Sequence, residues 1–255
     1  AHVSFLHSVM DDGASLANLV RLDGYNNDRH PRLTVIDTDY GFVYGGRRQK
    51  PNGEFYWRVT QYVLPFSAYI PSSGGYTGGA TIWVPIDDHH CWRFLVGGRR
   101  RPATPPPAGQ PNQLGRFLPI EPGQYTLEDG WTIDTRIAQN NKKNLYGMDR
   151  SKRDVDYTGI PAIPTEDQAM NEGMGYICDR TKEHLGTTDI SIIAMRRRFL
   201  RMIADLQKGI APYAPQHPEL YRVRPLDVDS PFGELSELLD HHQDDIRIPA
   251  GASVY

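Results

Sequence analysis

The spacing of apolar positions changes twice along this chain. Near the start, Phe5, Leu6 and Val9, then Leu16, Leu19 and Val20, recur close to helical spacing, which predicts helical fragments between His2 and about Leu22. From Leu33 to Phe94 the pattern shortens into β-rich runs. These are Leu33-Thr-Val-Ile-Asp-Thr, Gly41-Phe-Val-Tyr, Phe55-Tyr-Trp-Arg-Val-Thr-Gln-Tyr-Val and Ala80-Thr-Ile-Trp-Val-Pro-Ile, separated by Gly, Asn and Pro clusters. Trp92-Arg-Phe-Leu-Val follows the polar knot Asp87-Asp-His-His. The pattern predicts an antiparallel meander with a turn about every 8–15 residues. Gly, Arg and Pro then dominate from about residue 97 to 122, including Pro105-Pro-Pro. That stretch reads as a long surface excursion inside one domain rather than a linker between two.

Two helices are expected further on. Thr165-Glu-Asp-Gln, preceded by Pro164, has the form of a capping box, with Thr165 and Gln168 satisfying each other's backbone amides. A second helix spans about Thr188 to Lys208 and stops at Gly209, with Pro212 just beyond. Ile192, Met195, Phe199, Ile203 and Leu206 recur at steps of three and four and predict its buried face. Arg196, Arg197, Arg198 and Arg201 lie mostly off that face and read as a solvated basic flank. Strands first and helices packed on afterwards predict an α+β domain.

Composition narrows the function classes. With 39% hydrophobic and 23% charged residues and a net charge of −3, the chain lacks the basic excess that nucleic acid or an anionic membrane favours. No apolar run approaches the roughly 20 residues of a membrane span. Cys91 and Cys178 are too few for a disulfide framework, which points to a reducing cytoplasm. No Cys-x-His or Cys-x-x-His pair occurs.

The histidines carry the candidate chemistry. Asp87-Asp88-His89-His90-Cys91 resembles a metal cluster on paper, but a polar turn between two strands accounts for the same residues without a metal. His241-His242 reads as a hydrated helix end, and His30 and His217 as loop residues. His2 and His7 are five positions apart. On an ideal helix that spacing points the rings about 140° apart, so shared ligation requires a distorted segment. Asp167, in the first turn of the capped helix, supplies a carboxylate on a rigid element. If the three converge, two imidazoles and one carboxylate leave open positions, as in non-haem Fe(II) oxygenases.

The segment His2-Val-Ser-Phe-Leu-His7 is similar to the second half of the Asp-x-x-His-x4-His motif of Rieske non-haem iron oxygenases, in the catalytic domain of their α subunits. Trp83-Val-Pro-Ile-Asp-Asp, the stretch from Asp156-Tyr-Thr-Gly through Asn171-Glu-Gly-Met-Gly, and Ile177-Cys-Asp-Arg-Thr-Lys-Glu-His-Leu-Gly-Thr-Thr-Asp resemble the phthalate 4,5-dioxygenase-like branch of that family. The resemblance covers residues 1 to 208, and the tail beyond carries no such signal.

The resemblance implies that His2, His7 and Asp167 are the ligands of a mononuclear Fe(II), and that residues 1–255 form a single catalytic domain, the C-terminal part of a longer chain. It implies a helix-grip fold, a curved antiparallel sheet closed by packed helices. It also implies O2 and an aromatic substrate as partners, the latter carboxylated or methoxylated, with ring hydroxylation or O-demethylation as the reaction. Electrons are expected from a [2Fe–2S] Rieske cluster in an N-terminal domain absent from this sequence, and ultimately from NAD(P)H through a reductase or ferredoxin, within a homotrimer. Glu172 and His184 fall in the matching stretches and receive no catalytic role. Two other classes compete: a metal-free helix-grip module that binds a hydrophobic small molecule, and a Zn-dependent hydrolase with the same three ligands.

Overall fold

Six consecutive strands build most of one sheet: β1 (Arg32–Thr38), β2 (Gly41–Gln49), β3 (Phe55–Val63), β4 (Ser67–Pro71), β5 (Gly78–Pro85) and β6 (Cys91–Gly97). They pair in that order, all antiparallel, which matches the predicted meander except that β4, unmarked in the pattern, stands between β3 and β5. The computed structural model describes residues 28–72, 78–97, 120–154, 157–161 and 163–250. The helical fragments expected before Leu22 and nearly all of the Gly/Arg/Pro-rich excursion lie outside those residues.

The sheet branches at β3. Its second half pairs with β4 at Gln61–Val63, and its first half pairs at Phe55–Val59 with β9 (Leu226–Ser230), which comes from the C-terminal tail. A separate hairpin, β7 (Ile120–Thr126) and β8 (Thr132–Ala138), forms a second two-stranded sheet. Among the described residues, four helices follow or interleave: α1 (Ile163–Gly173), α2 (Ile190–Gln207), α3 (Leu235–His241) and α4 (Gln243–Ile246).

Residues opposite each other in antiparallel strands share a face, so the register sorts the sheet into two surfaces. Val43, Trp57, Val59 and Leu226 lie on the apolar face, where Leu235, Leu238 and Ile246 of α3 and α4 complete the main core. Gly45 belongs to this face, and a Cβ there would stand 2.8 Å from both Leu235 and Trp57. The close approach of α3 to the strand requires the missing side chain. Trp57 also donates its indole N–H to the Phe232 carbonyl at 2.8 Å, which ties the segment before α3 to the sheet.

The opposite face is mixed. Phe42, Tyr62, Ala68 and Thr81 stand across from one another on successive strands, and Trp83 stands across from Arg93. Phe42 and Tyr62 stack with ring centroids 4.7 Å apart. Toward β9, the buried Asp227 carboxylate accepts from the Tyr56 hydroxyl at 2.8 Å and the Arg58 guanidinium at 3.2 Å.

The α+β class is met, but the helix-grip architecture is not. Among the described residues both sheets are open: β1 and β6 are edges of the larger one, and β7 and β8 pair only with each other. The apolar face is filled by two short C-terminal helices rather than gripped by one long one. The long helix α2 lies against β1 and β2 at the sheet's edge, and none of its residues is fully buried. Its expected apolar stripe is only partly packed. Met195 and Phe199 are half-buried, whereas Ile203 and Leu206 are 52% and 59% exposed.

The arginines of α2 explain that orientation. Arg198 donates to the Thr38 carbonyl at 3.1 Å, and Arg201 reaches Asp37 at 3.3 Å. Arg196 forms a two-pronged pair with Glu183. Arg196 and Arg198 are therefore anchors to the loop before α2 and to β1, whereas Arg197 and Arg201 stay exposed, as expected of a solvated flank. The predicted stop holds: Gly209 has φ +81°, and Gly209 and Ile210 return their amides to Leu206 and Asp205. That is a Schellman turn.

The C-terminal tail, expected to be uninformative, supplies β9, α3 and α4 and with them half of the main core. Among the described residues, no helix is long and apolar enough to cross a membrane.

Candidate metal centre and its surroundings

The helix α1 begins two residues before the expected cap, so Pro164 sits in its first turn, where its fixed φ and missing N–H cost nothing. Thr165 is consequently inside the helix and fully buried, and its hydroxyl has no hydrogen-bond partner among the described residues. The capping box is not formed. Gln168 instead donates to Glu172 one turn along at 2.7 Å. Glu166, also buried, accepts from the Thr158 hydroxyl at 2.6 Å, which holds the start of α1 to the segment before it.

Asp167 lies on α1 between these two anchored neighbours and is partly buried. Its charge is felt at Arg93 on the mixed face of β6. Burial lowers the Arg93 guanidinium from its ordinary value, and Asp167 and then Cys91 oppose that shift. Arg93, on the mixed face, thus lies within electrostatic reach of the Asp167 carboxylate. His2 and His7, the other expected ligands, lie outside the described residues. Among the described residues, no group of three or more His, Cys, Asp or Glu side chains is arranged to hold a metal.

The decoy cluster is a polar turn, as the sequence allows. Asp87 accepts from the amides of His89 and His90 at 2.8 and 2.7 Å, and from the hydroxyl of Tyr125 on β7 at 2.9 Å. The Tyr125 hydroxyl also lies 2.7 Å from the His90 ring. Partial burial works against the Asp87 charge, but these donors outweigh it and hold the carboxyl well below its usual range. Burial and then the bond to Asp87 push the Tyr125 phenol up to about 12. The neighbouring His89 ring stacks on Tyr176, centroids 4.3 Å apart, just beyond the end of α1.

Sequence reasoning missed one contact to α1. The 3₁₀ turn at Lys142–Gly147 turns left-handed at Leu145 (φ 53°) and Tyr146 (φ 59°), and the Tyr146 hydroxyl donates to Glu172 at 2.6 Å. Glu172, assigned no role from the sequence, thus links that turn to the helix of Asp167. The only local signal was the Asn-rich stretch Asn140-Asn141…Asn144, whose side chains cap the turn. His184 is exposed in the loop before α2.

A family model described as LigXa C-terminal domain like matches residues 1–224. The chain belongs to that family. It is a catalytic, C-terminal domain of the Rieske-type ring-hydroxylating dioxygenase α subunits of the phthalate and chlorobenzoate group, as the motifs had implied. Its relatives include the phthalate 4,5-dioxygenase oxygenase subunit of Pseudomonas putida, 32% identical over 219 residues, covering 82% of this chain and 47% of the relative. The 3-chlorobenzoate-3,4-dioxygenase oxygenase subunit of Comamonas testosteroni is 29% identical over 211 residues, with 80% and 48% covered. The phenoxybenzoate dioxygenase subunit alpha of Ectopseudomonas oleovorans is 24% identical over 220 residues, with 83% and 41% covered. The chain spans about half the length of these relatives or less.

Proposed function

We propose that this chain is the oxygen-activating half of an aromatic-ring oxygenase, holding one Fe(II) through His2, His7 and Asp167. The observation that carries the reading is the placement of Asp167. Its helix is fixed at Glu166 and Glu172, and its charge acts on Arg93 beside the aromatic-lined mixed face. The donor set fits the ion, since two imidazoles and a carboxylate suit non-haem Fe(II) and leave positions open. When bound, the metal would supply the capacity to activate O2 beside a substrate.

The other tasks fall to the chain. In this reading Arg93 orients the substrate, its planar guanidinium offering two parallel donors to a carboxylate. The relatives are named for phthalate, chlorobenzoate and phenoxybenzoate, which all carry that group. Trp83, across from Arg93 and 39% exposed, offers a ring surface for the aromatic part. Burial pushes the Tyr62 phenol up to about 12, so it lines the same face as a neutral group. Whether the product is a diol or a demethylated phenol would then depend on how these groups orient the ring.

A Rieske cluster does not fit the residues of this chain, which has two cysteines and no Cys-x-His or Cys-x-x-His pair. Electron supply through such a cluster, a reductase and NAD(P)H, and assembly as a homotrimer, are assigned to the longer protein of which residues 1–255 would be one catalytic domain. Its free cysteines, Cys91 and Cys178, are compatible with a cytoplasmic setting.

Metal analysis tests the proposal. Anaerobic loading should leave one Fe(II) per chain, and His7→Ala or Asp167→Ala should lose it. Arg93→Gln should keep the iron but bind benzoate at least tenfold more weakly by calorimetry, since a charge-assisted pair is worth about 1.5–3 kcal/mol. Metal-free wild-type protein after loading, or iron retained by both ligand variants, would sink the reading.

A further inference from the structure

We infer that Tyr146 and Glu172 are positioning residues for the Asp167 carboxylate, through a strained turn that braces α1. The inference rests on the reading of Asp167 as a metal ligand given above. Both carboxylate oxygens of Glu172 are engaged: Oε1 accepts from Gln168 at 2.7 Å and Oε2 from the Tyr146 hydroxyl at 2.6 Å. Gln168 is the residue next to Asp167, and Glu172 lies about 7.5 Å further along the axis. The Gln168 bond lies within α1 and holds the Glu172 side chain in place, whereas the Tyr146 bond comes from outside the helix and, with the Thr158–Glu166 bond, restrains the rotation of α1 and so the direction in which Asp167 leaves it.

The turn that delivers Tyr146 is built against its own backbone preference. Leu145 and Tyr146 are consecutive non-glycine residues in the left-handed region, a conformation that costs free energy at each position. Leu145 is 62% exposed, so burial of its side chain does not account for the arrangement. What holds it is a polar frame. The Tyr146 amide returns to the Asn141 carbonyl at 2.8 Å, Asn141 accepts from the Lys143 amide at 2.9 Å, and Asn144 donates to the Gln139 carbonyl at 2.7 Å. The strain therefore has a geometric result, a phenol delivered to Glu172. Burial, then the bond to Glu172, pushes that phenol up to about 12, so it remains a donor throughout the neutral range. A second contact, His89 stacked on Tyr176, holds the far end of the helix.

Co(II), which reports its coordination in visible absorption, is the probe. The 255-residue chain is titrated with Co(II) as wild type, Tyr146→Phe, Glu172→Ala, Glu172→Gln and Asp167→Ala. Wild type should bind one ion and Asp167→Ala none. Tyr146→Phe and Glu172→Ala should bind about 10- to 100-fold more weakly, the effect expected for an outer partner of a ligand. Their absorption bands should also shift, which loss of stability alone would not produce. Glu172→Gln keeps an acceptor for Tyr146 and should recover most of the affinity. Urea midpoints of the metal-free variants show that each is folded. Wild-type affinity and an unchanged spectrum in Tyr146→Phe and Glu172→Ala would overturn the brace and leave the iron site standing. A wild-type chain that binds no Co(II) would overturn both.

Discussion

Arg196 and Glu183 illustrate how a side chain's role depends on its partner. The sequence places Arg196 on a basic flank, and nothing in its spacing names a carboxylate 13 positions earlier. In the structure both terminal guanidinium nitrogens of Arg196 meet Glu183, and Arg180 adds a third donor at 3.0 Å. The bond from Arg196 is the main reason the Glu183 carboxyl falls from 4.5 to about 2, with burial opposing and Arg180 assisting. A depressed acid stabilises the fold while it is ionised in both states, and that contribution disappears as pH drops through the folded value. The contribution should therefore be complete above about pH 4.5 and lost on approach to pH 2. Urea unfolding of wild type and Glu183→Gln should show a gap at pH 7 that closes as the pH falls toward 2. A gap independent of pH would mean that the ion pair does not anchor the loop to α2.

Among the elements, those whose apolar period matched their surroundings were legible. β2 and β3 pack on both faces, and their runs of Val, Tyr, Trp and Phe between Gly and Asn turns read directly as strands. The end of α2 was legible because Gly209 supplies the left-handed residue that a Schellman turn needs. β4 was hidden by its shortness and its Pro71 end, and β7 by Pro122, Gly123 and an almost wholly exposed surface. β9 did carry a signal, since Leu226-Asp-Val-Asp-Ser alternates apolar and acidic residues. Five residues in a Pro-rich tail nevertheless read as a loop until a partner strand is known. The same tail gives an unambiguous energetic contrast. Leu238 is fully buried on α3 in the main core, whereas Leu200 on α2 is 68% exposed. Leu238→Ala should cost about 2–5 kcal/mol, as large-to-small core changes do. Leu200→Ala should stay within about 0.5 kcal/mol. Denaturant unfolding measures both, and similar losses would mean that the longer helix, not the tail, carries the core.

At the scale of the molecule, the β7–β8 hairpin joins the two sides of the candidate site. One end reaches the β5–β6 turn through Tyr125, and the chain leaving β8 enters the Asn-capped turn that presents Tyr146 to α1. Beyond α1, the Asp167 charge acts on Arg93 of β6. This arrangement was invisible in the sequence because each link is a single side chain whose partner lies far away in the chain. None of the hairpin's residues is buried, and an isolated two-stranded sheet is marginal in water. Its order must come from its attachments, and Tyr125 supplies one on the side of the main sheet. Tyr125→Phe keeps the ring against His90 but deletes the hydroxyl shared by Asp87 and His90. Losing a hydrogen bond to a charged group shifts a local opening equilibrium by roughly tenfold or more. Amides of Ile120–Thr126 and Thr132–Ala138 should therefore exchange with solvent at least tenfold faster in Tyr125→Phe, while those of β2 and β3 keep their wild-type rates. Equal acceleration everywhere would mean that Tyr125 supports global stability instead, and no acceleration would mean that the hairpin is held from the α1 side alone.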